Sequence, residues 1–121
     1  MATQFRGWLA ASVTALAMTT LAHAQTPASG KFDGTYAGLP STTSGGERCP
    51  QMETPSALTI ANGAARSATG NFTGTVDGGG HIILHTKEAT RFEGQIDTAG
   101  VVKVTAITTK GCSYVFSWRK R

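Results

Sequence analysis

A short unit built on phenylalanine and glycine recurs along the chain and restricts the fold more than any other feature. The unit has the form Phe-x-Gly-x-(Tyr/Val/Ile) and occurs in Phe32–Gly38, Phe72–Asp77 and Phe92–Asp97. The last two copies are 20 residues apart, and each leads into a glycine-containing turn that begins with aspartate and precedes an apolar run. This order is typical of strand, tight turn and strand, so these two copies predict β-hairpins.

The alternation of side chains supports the prediction of strands. Phe92, Gly94 and Ile96 fall on one face of an extended chain, and the residues between them are polar. Leu58–Ala61 is followed by Asn62–Gly63, a pair that favours a two-residue hairpin turn. The segment near the C-terminus places four apolar side chains on one face: Cys112, Tyr114, Phe116 and Trp118.

The sequence predicts an all-β fold. No window of a dozen residues has helical periodicity, and the 15 glycines and many threonines oppose helix formation. We expect about seven strands joined by short turns, which form an antiparallel meander. A meander of this length closes into a small barrel or folds into a sandwich, and both remain open. The glycine of each repeat shares a face with the phenylalanine, so we expect it to let a strand bend or a ring cover the backbone.

The first 24 residues have the three parts of a secretory signal peptide. Arg6 precedes the short apolar run Trp8–Met18, and Ala22–Ala24 forms a small-x-small cleavage site before Gln25. The run is too short and too rich in threonine for a spanning helix. We therefore expect a protein exported to the periplasm or the exterior, with a flexible leader at 25–31, one β domain at 32–121 and no transmembrane segment in the mature chain.

The mature chain is small. Removal of 24 of the 121 residues leaves 97, of which 33 are apolar and 10 of those are alanine. A chain of this size buries only about two thirds of its unfolded surface. The thin core excludes a multidomain enzyme, a Rossmann or TIM-type scaffold and a large ligand chamber.

The two cysteines, Cys49 and Cys112, predict one disulfide. An even number of cysteines in a small exported domain is typical of a bridge, and neither cysteine has the neighbours of a metal or redox motif. Closing a loop of 64 residues contributes about 4 kcal/mol in the chain-entropy description. We therefore expect the bridge to supply a large part of the stability.

The longest segment without a strand pattern is the loop at 39–56, which has three prolines and two glycines. Loops of this length in small domains are usually functional or mobile. A bridge from Cys49 would fix the middle of the loop against the last strand. The loop supplies a candidate recognition surface, with an inert tethered loop as the alternative: Glu47, Arg48, Gln51, Met52 and Glu53.

The sequence lacks the motifs of an enzyme. His81 and His85 would share one face of a strand about 13 Å apart, too far to chelate one ion together. Asp77 and Asp97 begin turns, where aspartate is favoured because it binds its own backbone. We therefore expect no catalytic residues, no metal and no cofactor.

The mature chain has ten basic and seven acidic residues, and the excess equals the terminal triplet Arg119, Lys120 and Arg121. The triplet predicts contact with an anionic surface or an envelope protein, with a solvated, frayed terminus as the favoured alternative. We do not expect a nucleic-acid partner, because no broader basic face accompanies the triplet.

Phe32–Gly38, the later repeats and the closing Cys112–Tyr114 with Trp118 resemble a group of short exported bacterial proteins of unassigned function. The resemblance covers most of the mature chain and implies export, an all-β fold and paired cysteines. It implies no activity.

The predicted function is that of a non-catalytic binding or envelope-associated module. A lipocalin-like carrier of a small apolar ligand is the second hypothesis. An enzyme or enzyme inhibitor is the third.

Overall fold

The computed structural model describes residues 30–121, which form a closed antiparallel barrel of eight strands. The strands follow one another around the barrel in chain order, and the last strand pairs with the first. Their bounds are β1 Gly34–Ser44, β2 Leu58–Ala61, β3 Ala64–Ser67, β4 Thr73–Val76, β5 His81–His85, β6 Arg91–Ile96, β7 Val101–Ile107 and β8 Ser113–Lys120. The all-β meander is confirmed, the barrel is selected over the sandwich, and the strands number eight where the sequence predicts about seven.

The predicted signal peptide, residues 1–24, lies outside the described residues, as do residues 25–29 of the predicted leader. Within residues 30–121 there is no helix with the length and hydropathy needed to cross a membrane.

The repeated glycines allow neighbouring strands to approach closely. A Cβ atom at Gly74 would overlap the carbonyl oxygen of Ile83 on β5, and one at Gly94 would overlap the carbonyl oxygen of Lys103 on β7. Both strand pairs are therefore closer at these points than a side chain allows. For Gly74 and Gly94 the architectural role is confirmed, and the group that covers them is a strand backbone and not an aromatic ring.

Side chains fill the interior of the barrel. Trp118 and Tyr36 are the largest of those that are fully buried. The ring of Phe72 makes edge-on contacts with Phe92, Phe116 and Trp118 at centroid distances of 5.5, 5.2 and 5.6 Å. The inward faces therefore follow the predicted alternation, and the last strand buries its whole predicted set.

The predicted loop at 39–56 is too long at its N-terminal side, because β1 continues to Ser44. The pairing of β1 with β8 shifts between Leu39 and Thr42, so that one extra residue of β1 forms a β-bulge. Pro40 lies in this bulge, where the ladder is interrupted and a missing N–H is tolerated. The connection from β1 to β2 is residues 45–57.

The basic C-terminus is part of the barrel, and the expectation of a frayed terminus is wrong. Arg119 and Lys120 belong to β8 and pair with Ala37 and Tyr36 of β1. The N–H of Arg121 donates to the carbonyl of Thr35 at 3.0 Å. Pairing with β1 holds these residues in the sheet, and their charge alone gives no indication of this pairing.

Candidate functional site at the loop end of the barrel

The meander places alternate connections at opposite ends of the barrel. The end that we call the turn end carries the short turns at 62–63, 77–80 and 97–100, together with residues 30–33. The other end, which we call the loop end, carries the long segment 45–57 and the turns at 68–72, 86–90 and 108–112. The two ends differ in how their polar groups are satisfied and in how much apolar surface they expose.

Aspartate side chains stabilise two turns of the turn end, at 77–80 and 97–100. The Oδ1 atom of Asp97 accepts hydrogen bonds from the N–H groups of Ala99 and Val101, both at 2.9 Å. Asp77 accepts the corresponding pair of N–H groups in the preceding turn, at 2.9 and 3.0 Å. Each carboxylate therefore satisfies two backbone donors that a tight turn leaves without a ladder partner.

Backbone hydrogen bonds join neighbouring hairpins at the turn end. Each turn has a glycine with φ between 80° and 85° whose carbonyl accepts an N–H from the next hairpin. The three bonds are all 2.8 Å long and run from Val76 to Gly63, from Ile96 to Gly80 and from Lys120 to Gly100.

Phe32 and Tyr36 fill the turn end. Phe32 packs against the core, and the Tyr36 hydroxyl donates to the Phe32 carbonyl at 2.7 Å. Burial raises the pKa of Tyr36, and the charge of Asp33 raises it further.

A groove of about 670 Å³ remains beside these residues, and the Lys120 stem lies along it, against Gly100.

The polar groups along this groove bind one another. The Gln95 side chain donates to the Gly79 carbonyl at 2.7 Å, and the Lys120 ammonium lies over the Tyr36 ring. These contacts have a structural role, because they fix the turn at 77–80 and the end of β8.

A cleft of about 620 Å³ opens at the loop end. Its floor is aromatic and consists of core rings that continue into the barrel: Phe72, Phe92, Tyr114 and Phe116. One buried side-chain oxygen has no hydrogen-bond partner among residues 30–121, and it is Thr43 Oγ1, opposite Tyr114 in the ladder between β1 and β8. The floor is thus aromatic, and Thr43, which does not line the cleft, lies on the neighbouring strand β1.

The walls of the cleft come from connections that are far apart in sequence. One wall is the extended segment 52–56, and the turn at 86–90 contributes four of its five residues, including Lys87 and Glu88. Thr69 and Asn71 of the turn at 68–72 and Thr108 complete the lining. An apolar floor with a mostly polar rim is the usual composition of a binding site.

The disulfide and hydrogen bonds hold the wall 52–56 in place. Cys49 is bonded to Cys112 with a Cα separation of 5.5 Å, as predicted. The buried indole N–H of Trp118 donates to the Ser56 carbonyl at 2.8 Å. The hydroxyl of Ser41 donates to the Met52 carbonyl at 2.6 Å, so the segment is fixed near both ends.

Of the five candidate recognition residues, two line the cleft, one holds its wall and two do not line the cleft. Met52 and Glu53 line the cleft. Gln51 donates its side-chain amide to the Ser41 carbonyl at 3.1 Å, and this contact holds the wall. Glu47 and Arg48 are exposed on the other side of the disulfide and do not line the cleft.

Sequence reasoning missed the aromatic floor and the turn at 86–90. The rings carry a core pattern, which gives no indication that they also end beneath an opening. One signal was available, because in a meander every second connection lies at the same end. That rule places the long segment beside the three turns of the loop end.

The two histidines of this part of the chain, His81 and His85, lie on the outer wall of the barrel. The His81 ring is 2.7 Å from a Glu93 oxygen, and Arg91 contacts the other Glu93 oxygen at 3.2 Å. All three side chains are accessible to solvent. Within residues 30–121, no group of three or more histidine, cysteine or acidic side chains has the arrangement needed to hold a metal ion.

Comparison with protein-family models, curated proteins and solved structures finds no match to this chain.

Proposed function

We propose that this protein is an exported, non-catalytic binding module whose contact surface is the loop end of the barrel. The observation that carries the proposal is the aromatic-floored cleft at this end. Its volume of about 620 Å³ falls in the range of about 300–1,000 Å³ that is usual for binding sites.

Exposed apolar side chains support the same end. Two large apolar side chains are exposed among residues 30–121, Met52 at 38% and Ile107 at 75%. Met52 lines the cleft, and Ile107 directly precedes the turn at 108–112. Apolar groups concentrated at one end are typical of a contact surface, and methionine adapts to the shape of a partner.

Export has two supports, the signal-like segment 1–24 and the disulfide. Bridges of this kind persist in oxidising compartments outside the cytosol. A non-catalytic role fits the cleft lining, which consists mainly of aromatic, threonine and proline side chains with three charged ones. An enzyme inhibitor would be one form of such a module.

A carrier of a small apolar ligand has less support. The barrel interior is filled, with Trp118, Tyr36 and Leu58 at 1% exposure or less. A carried molecule would therefore occupy the same cleft at the loop end. Contact with an anionic surface through the C-terminus also has less support, because Lys120 packs over Tyr36.

A photo-crosslinking pair tests the proposal. A photoreactive amino acid replaces Lys87 at the loop end or, as the matched control, Thr98 at the turn end; both residues are exposed and follow the first residue of a hairpin turn. In the native envelope we expect a discrete adduct from position 87, reduced by excess unlabelled protein, and none from position 98. Equal labelling from both positions, or labelling from position 98 alone, would contradict the proposal.

A further inference from the structure

Building on the proposed function, we infer that the cleft at the loop end recognises a peptide segment in which a bulky apolar side chain stands next to lysine or arginine. The inference rests on the charges of the rim, the size of the exposed floor and the shape of the turn at 86–90.

The rim carries two carboxylates that have no ion-pair partner among residues 30–121. Glu53 belongs to the segment 45–57 and Glu88 to the turn at 86–90, and both line the cleft. Among residues 30–121, neither carboxylate has a basic group within ion-pair distance, whereas Glu93 on the outer wall contacts both His81 and Arg91. The third charged group in the lining is Lys87, so acidic groups outnumber basic ones. A cationic group beside the floor would therefore find acceptors from two separate elements.

The floor suits the end of a side chain better than the face of a stacked ring. Phe92 is 3% exposed, Phe116 6%, and Phe72 and Tyr114 7% each. The rings contact one another edge-on and present little of their faces to the cleft. A sugar that stacks on aromatic rings needs an open ring face, whereas a leucine or phenylalanine side chain needs only a small apolar base with walls around it. The structure therefore favours a peptide over a saccharide.

The turn that carries Glu88 is held in a conformation that its sequence does not favour. Ala89 has φ of 68°, and in the turn at 108–112 the corresponding residue is Gly111, with φ of 83°. The two turns have the same backbone bonds, from Ala89 to Thr86 and from Gly111 to Thr108. Glycine adopts this conformation freely, whereas alanine does so at a cost. A backbone conformation with such a cost persists only where surrounding contacts fix it. Here the bonds from Ala89 and Thr90 to Thr86 do so, and they give Glu88 a fixed place on the rim.

Synthetic tripeptides test the inference. Acetyl-Lys-Phe-Lys-amide, acetyl-Glu-Phe-Glu-amide and acetyl-Lys-Ala-Lys-amide are titrated into the full mature protein, and binding is followed by backbone amide shifts. At low ionic strength we expect the Lys-Phe-Lys peptide to bind about tenfold more tightly than the Glu-Phe-Glu peptide, a ratio that salt reduces. The Lys-Ala-Lys peptide lacks the apolar side chain and binds more weakly than the Lys-Phe-Lys peptide.

Matched variants assign the preference to the rim. Glu53→Gln with Glu88→Gln lowers the affinity for the Lys-Phe-Lys peptide to that for the Glu-Phe-Glu peptide. Ala89→Gly raises the melting temperature and reduces the preference. Gly111→Ala is the reverse exchange in the sister turn, where a Cβ atom meets no neighbour within 4 Å. It lowers the melting temperature and leaves the preference unchanged.

The two proposals fail in different ways. Tight binding of both phenylalanine peptides at the loop end with no difference between them overturns the preference for basic partners and leaves the binding module in place. Shifts of the turn-end residues alone contradict the proposed contact surface itself. A preference that survives the double glutamine variant overturns the assignment to Glu53 and Glu88.

Discussion

The two ends of the barrel are built from similar hairpins but are stabilised differently. At the turn end, Asp77 and Asp97 each accept two backbone N–H groups. At the loop end, the Thr86 and Thr108 hydroxyls take the place of the carboxylates, and each accepts one N–H, at 3.1 and 3.2 Å. Each of these two aspartate turns therefore has one more side-chain hydrogen bond than its threonine counterpart at the loop end.

The wall of the cleft at the loop end is held by contacts between residues distant in sequence. The Cys49–Cys112 bridge spans 63 positions, and the bond from Trp118 to Ser56 spans 62. These contacts hold a wall without filling the opening beneath it. At the turn end, by contrast, Phe32 and Tyr36 pack against the core and support the fold. The following predictions test this division, beginning with the largest effect.

Removal of the disulfide should have the largest effect on stability. We expect Cys49→Ala with Cys112→Ala to lower the free energy of unfolding by about 4 kcal/mol. The reason is that the unfolded chain regains the freedom of a long loop. Urea unfolding measures the change, with the reduced wild-type protein as the control. A loss below about 1 kcal/mol would show that the bridge shapes the loop end without stabilising the barrel.

Truncation of an apolar side chain should cost much more at the turn end than at the loop end. Phe32 packs against the core, and we expect Phe32→Ala to lower the free energy of unfolding by about 3 kcal/mol. Met52 is 38% exposed, and Met52→Ala should cost less than about 1 kcal/mol. Chemical unfolding of the two variants measures the difference. Equal losses would remove the distinction between a filled end and an exposed wall.

Replacement of the residue that starts a turn should likewise cost more stability at the turn end than at the loop end. Asp97→Ala leaves two N–H groups without their acceptor and should cost about 2 kcal/mol, whereas Thr108→Val removes one bond and should cost about 1 kcal/mol. Thermal unfolding under identical conditions compares the two variants. A larger loss for the Thr108 variant would reverse the proposed order of local stability.

The smallest effect concerns pH. Burial and the charge of Asp33 raise the pKa of Tyr36 above its value in the unfolded chain. The folded state therefore holds this proton more tightly, so stability from Tyr36 is complete below about pH 10 and decreases as pH rises through the raised pKa. Tyr36→Phe should remove this part of the alkaline dependence and cost about 1 kcal/mol at neutral pH through loss of the bond to Phe32. An unchanged alkaline profile in the variant would contradict the assignment.

Much of the barrel was predictable from local pattern. The Phe-x-Gly units, the Asp-led turns and the Asn62–Gly63 turn specify hairpins, because each depends on residues close in sequence. The end of β1 was not predictable from Pro40 and its neighbours, because pairing with β8 determines it. Closure into a barrel likewise depends on this distant pair of strands.

The site was less predictable than the fold. Met52 and Glu53 were identified from the length of their loop, and the structure places them on the cleft wall. The aromatic floor gave no separate signal, because a ring beneath an opening and a ring in the core have the same sequence pattern. No signal in the sequence indicated the conformation of Ala89 either, because a positive φ at such a turn position is normally associated with glycine.

The most direct test of the contact surface needs no natural partner. A small apolar probe, para-cresol, is titrated into the isotope-labelled mature protein, and amide shifts are followed at both ends of the barrel. The structure predicts that the largest shifts occur at the loop end, at Asn71, Lys87 and Thr108. Shifts concentrated instead at Gly79, Thr98 and Gly100 would place the accessible apolar site at the turn end and contradict the account.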